Sequence, residues 1–168
     1  MVKNPIANTM AKDEILKLLG KEEFAGLVLR HTSLLEFDLD VLLCQYFIRK
    51  DRVIEAMSNL LSLLNLSNKI EILKSISAKK NEKTRLTIIT NLQAFRKVRN
   101  IVAHRWTINT TDAEMLIKNS TIKAMLKDYP QSLRASFCMT RSAIAELIKS
   151  EEYCFDDKTC LSVFEIAE

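Results

Sequence analysis

Arg99, Asn100 and His104 are the residues of this 168-residue chain whose types and spacing could do chemistry. Arginine presents a rigid, permanently charged fork of donors that matches a phosphate group. Histidine is the side chain that takes and gives a proton near neutral pH. A phosphate clamp and a proton carrier suffice to cleave an RNA backbone without a metal. Asn100 precedes His104 by one helical turn and is placed to hydrogen-bond its ring. Arg96, Lys97 and Arg105 flank the set and are candidate contacts to the phosphates of a bound strand.

These residues end a long helix expected from about Glu82 to His104. On it Ile88, Leu92, Phe95 and Val102 recur at spacings of four, three and seven and share one face. Arg99 falls on the same line. A buried arginine is costly without a partner, so Arg99 should meet either a carboxylate or an anion in a crevice. Glu36 is the carboxylate assigned to position it. Gln93, Lys97, Asn100 and His104 form a polar edge. On a regular helix Arg99 and His104 lie about 140° apart around the axis and roughly 7–8 Å apart along it. Fraying near His104, or a second copy across a two-fold axis, would bring the two together.

The other expected elements are helices as well. Asp13–Leu19 is a short one. Glu22 to about Arg49 is long, with Val28, Leu35, Leu39, Leu42 and Tyr46 near one face. Arg52–Leu64 is leucine-rich. Ser67 is placed to cap a helix from Asn68 to Ile76. Thr111-Asp112-Ala113-Glu114 fits a capping box. Tyr129-Pro130 is a break before a last helix, Gln131 to about Lys149. Two glycines and two prolines are too few for an all-β or Rossmann-type fold. The expectation is an all-α, antiparallel helical bundle over residues 11–150. A loose leader (1–10) precedes it and a tail of uncertain structure (151–168) follows.

Composition narrows the function classes. Apolar residues make up 48%, which argues against disorder. The four cysteines form no CxxC pair and lack zinc-ligand spacing, and no secretory signal opens the chain. They read as reduced thiols of a cytoplasmic protein with no metal and no cofactor. The longest uncharged run, the thirteen residues Ala56 to Asn68, is too short and too polar to cross a bilayer. Charge is uneven. Lys69 to Arg105 holds ten basic and two acidic residues, a net of +8, against −4 for the remainder. Such a block surrounding the Arg99–His104 segment suits a polyanionic partner, although a solvated basic helix pair has the same composition.

The segment Arg99-Asn100-Ile101-Val102-Ala103-His104 resembles the signature of the HEPN superfamily, in which an arginine, usually with a polar neighbour, precedes a histidine by four to six positions. Leu34-Leu35-Glu36 on an early long helix and Lys69-Ile70-Glu71-Ile72-Leu73 before the motif helix are similar to that family as well. The resemblance spans about Glu22 to Lys149. It implies a metal-independent endoribonuclease working as a homodimer, with both copies of the motif in one cleft. Arg99 would bind the scissile phosphate, His104 would act as general base or acid, and Asn100 would orient one of them. The products would carry 2′,3′-cyclic phosphate and 5′-hydroxyl ends. Many relatives are toxins or defence effectors, so an antitoxin or regulatory protein is an expected partner. In toxins silenced by a nucleotidyltransferase, a tyrosine stands two residues after the histidine. Here that position is Trp106, which argues against that mode of silencing and reads as a packing residue.

A non-catalytic HEPN-like module, binding a protein or regulating transcription, is the alternative. His31, among Leu27, Val28, Leu34 and Leu35, reads as a satisfied core or semi-exposed histidine because nothing nearby completes a site. Glu36, Asp38 and Asp40 read as solvent-facing, spread around their helix.

Overall fold

The computed structural model describes residues 12–47, 53–76, 81–104, 108 and 110–150, and these are helical almost throughout, with no strand among them. The order is α1 (Lys12–Leu19), α2 (Glu22–Phe47), α3 (Val53–Asn59), a 3₁₀ turn (Leu61–Leu63), α4 (Leu66–Ser75), α5 (Glu82–Ala103), α6 (Thr110–Lys118), α7 (Ser120–Leu126) and α8 (Gln131–Ser150). The leader 1–10 and the tail 151–168 lie outside the described residues.

Three helices, α2, α5 and α8, pack against one another pairwise and form the centre. Their directions follow from side-chain contacts. Asn81 reaches Ser150 and Asn91 reaches Thr140, so α8 runs antiparallel to α5. Phe24 meets Tyr129, His31 meets Phe137 and Asp38 meets Arg141, so α2 and α8 run in the same direction. The core includes Phe24, Leu35, Leu39, Leu43, Ile70, Ile88, Leu92, Phe95, Leu133 and Ile144, all 1% exposed or less. Each such side chain contributes roughly 2 kcal/mol over its exposed state.

α2 is buried on several sides because α4, α5 and α8 all pack on it. Polar residues on it are therefore enclosed, which corrects the solvent-facing reading of its carboxylates. Asp38 is 0% exposed and accepts from Arg141 Nε at 2.8 Å. Lys69, itself buried, donates to Glu36 Oε1 and Asp40 Oδ2, each at 2.9 Å. Burial raises the pKa of Asp38 and of Asp40, against the opposing pull of Arg141 and Lys69. Tyr46, expected on the apolar face, is exposed.

Two helix boundaries differ from expectation. The leucine-rich stretch breaks at Leu60 into α3 and the 3₁₀ turn, with Ser58 and Ser62 hydroxyls donating back to the carbonyls of Glu55 and Ser58. Leu60 and Leu63 are exposed, so no packing sustains a straight helix there. The cap of α4 is Asn65, whose Oδ1 accepts from Asn68 N–H at 3.0 Å, and Ser67 instead receives the Arg96 guanidinium. α6 begins at Thr110, and Glu114 pairs with Lys12 across the bundle.

Candidate functional site

α5 holds the expected segment as a regular helix through Ala103, with His104 as its C-cap residue donating N–H to Ile101 O at 3.1 Å. Arg99, Asn100, Lys97 and His104 are all exposed. Arg99 Nη1 points to Asn100 Oδ1 at 3.4 Å, a long and weak hydrogen bond. Glu36, expected to position Arg99, is held by Lys69 instead.

The exposure of Arg99 has a geometric cause. At 100° per residue it lies within about 20° of Leu92 around the helix. In the first half of α5 the buried stripe follows Arg85, Ile88, Ile89 and Leu92, but in the second half it turns to Phe95, Val98 and Val102. α4 covers the first half in antiparallel fashion: Arg85 donates to the carbonyls of Leu73 and Lys74, each at 2.8 Å, and Arg96 reaches Ser67. α4 begins at Leu66, so it has no further residue to cover the turn carrying Arg99.

Part of the basic block is structural. Lys69 is enclosed by Glu36 and Asp40. Arg85 is buried and paired with Glu82, and Lys74 pairs with Glu71. Arg96 is half-buried against Ser67. Lys97 and Arg99 therefore carry the open positive charge near the end of α5. Arg105 and Trp106 lie outside the described residues.

A second constellation sits between α2 and α8, where a crevice of about 540 Å³ opens. Arg30, His31 and Leu34 line it from α2, and Arg134, Phe137 and Arg141 from α8. His31 stacks on Phe137 with ring centroids 4.0 Å apart and planes 5° from parallel. The Arg141 guanidinium lies 5.6 Å from the centre of the same phenyl ring. Burial first, and then the nearby Arg134 and Arg30 charges, push the His31 pKa down from 6.5 to about 4, so the ring is neutral at pH 7. Its Nδ1 is buried with no hydrogen-bond partner, which corrects the reading of a satisfied core histidine.

Sequence reasoning missed this crevice because its two walls lie about a hundred residues apart. The available signal was one helix face: Arg134, Phe137, Arg141 and Ala145 recur at threes and fours, two arginines among apolar neighbours. Among the described residues no group of three or more histidine, cysteine or acidic side chains is placed to hold a metal ion. No helix among them is long and apolar enough to cross a membrane. Cys44 is buried and its thiol is pushed up to about 11, mainly by that burial. Comparisons with protein-family models, with curated proteins and with solved structures find no match to this chain.

Proposed function

We propose that the chain is a metal-independent endoribonuclease of the HEPN type, in which two copies place their Arg99–His104 segments in a shared cleft. Arg99 binds the scissile phosphate and offsets its added negative charge as the 2′-oxygen attacks. His104 exchanges the proton with the 2′-hydroxyl or the leaving 5′-oxygen. Asn100, beside Arg99, orients the guanidinium. Lys97, with Arg105, follows the strand, while Arg96 is held by Ser67.

The observation that carries this reading is the state of Arg99. Its guanidinium is exposed, its one contact among the described residues is a weak one to a neutral amide, and His104 lies just beyond on the same helix. An arginine without a carboxylate partner keeps its donors available to a phosphate. The regularity of α5 through Ala103 supports the two-copy arrangement. Residues five apart on a regular helix stand about 140° apart around it, so a second copy would complete what one leaves apart.

The test is cleavage of single-stranded RNA by the purified chain in excess EDTA, with analysis of the ends. The expected products carry 2′,3′-cyclic phosphate, and an all-deoxy strand of the same sequence stays intact. Intact RNA across several substrates would overturn the catalytic reading and leave a non-catalytic binding module.

A further inference from the structure

We infer that the α2–α8 crevice is a binding site for a small organic phosphate, a phosphomonoester joined to a planar or apolar body. It stands on different helices from the Arg99–His104 segment and does not rest on the ribonuclease reading.

Three observations carry it. First, the arginines serve different ends. Arg141 is anchored by Asp38, with Nε at 2.8 Å from Oδ2. Arg30 and Arg134 are exposed at the mouth and have no carboxylate partner among the described residues. Asp38 is thus spent on Arg141, and the residues lining the crevice include no carboxylate to meet Arg30 and Arg134. Paired guanidiniums are the usual receptor for a dianionic phosphate, each supplying parallel N–H donors.

Second, His31 is 7% exposed, it lines the cavity, and its Nδ1 lacks a partner. An unmet buried nitrogen is a cost to the fold. That nitrogen is closed to water, so what His31 offers a ligand is its ring, stacked on Phe137 in the same wall.

Third, the space exceeds what a bare phosphate needs. At about 540 Å³ the crevice has the size of a small-molecule site. Leu27, Leu34 and Ala145 give it apolar walls. Guanidinium planes at the mouth can also stack on a flat ring. A charged head held by Arg30 and Arg134, with an apolar body laid along Leu34, uses each of these features.

The experiment is calorimetric titration of the full-length chain with phenyl phosphate, inorganic phosphate and adenosine monophosphate. Phenyl phosphate is expected to bind at least about tenfold more tightly than inorganic phosphate, because only it fills the apolar part. The Arg30→Ala/Arg134→Ala double variant, checked for an unchanged thermal melt, is expected to bind phenyl phosphate at least about tenfold more weakly. A shift of the His31 ring nitrogen signals on titration is expected too. Adenosine monophosphate competing as well as phenyl phosphate would assign the ligand to the nucleotides. Its failure to compete would assign it to other aromatic phosphates, and either result supports the site. No binding at millimolar phenyl phosphate, equal binding of inorganic phosphate, or full binding by the double variant would overturn it.

Discussion

The end of α5 and the α2–α8 crevice both offer arginine and histidine, yet they are built in opposite ways. At the end of α5 Arg99 and His104 stand within six residues, both exposed, and Arg99 is lightly held. In the crevice these residue types come from two helices about a hundred residues apart, and several are locked: Asp38 holds Arg141, and His31 lies flat on Phe137. The first region is open to solvent. The second is a crevice between packed helices, open at its mouth and sized for a small partner. The same residue types thus acquire different roles from burial and from what already occupies their donors.

If the crevice is part of the fold's framework, breaking it should cost stability. Asp38→Ala removes the buried carboxylate that pairs with the largely buried Arg141 guanidinium, and a loss of about 3 kcal/mol is expected from urea denaturation. A loss under about 1 kcal/mol would mean that water already compensates Arg141, as at a surface pair, and the contrast between the regions would fail.

The pH dependence sharpens the same point. The His31 pKa is depressed in the folded chain, from 6.5 to about 4, so the unfolded chain binds its proton more readily. The stability that neutral His31 supports is fully present above pH 6.5 and is lost as pH falls toward 4. Asp38 and Asp40, raised in the folded chain, act in the opposite sense: their contribution declines as pH rises through their window above 3.8. Comparing the chain with its His31→Phe variant isolates the histidine. The stability of the parent relative to the variant is expected to climb between pH 4 and 6.5 and then level off. A flat difference would show that the His31 ring is as accessible to protons as in the unfolded chain.

The smallest expected effect lies at the other region. Arg99→Ala removes an exposed side chain with one weak contact, and a stability change within about 0.5 kcal/mol is expected in the same denaturation experiment. A loss beyond that would place Arg99 in a supporting contact and undercut its role as an open phosphate clamp.

Much of the fold was legible in the sequence, for a physical reason that also explains the failures. Helices show themselves through residues three and four apart, so α1, α2, α5 and α8 were readable to within two or three residues. The same local spacing exposed Arg99 and His104 as a pair. Whether Arg99 is covered depends on where α4 begins, and that start, set by Asn65, is two residues before the expected Ser67 cap. Asp38 reads as a surface carboxylate until α8 supplies Arg141, 103 residues later. The partners of Glu36 and Asp40 depend on how α4 docks against α2, which no spacing rule encodes. Local periodicity finds elements and motifs within them, while a site assembled from distant helices appears only once they are packed.

The first measurement to make is the cleavage rate of a labelled single-stranded RNA in excess EDTA by the parent, Arg99→Ala and His104→Ala proteins, each with a confirmed thermal melt. The expected result is cleavage by the parent and a loss of about 100-fold or more in each variant, the range for removing a phosphate clamp or a general acid–base group. Equal cleavage by parent and variants, or none by any of them, would contradict the assignment of Arg99 and His104 as catalytic residues.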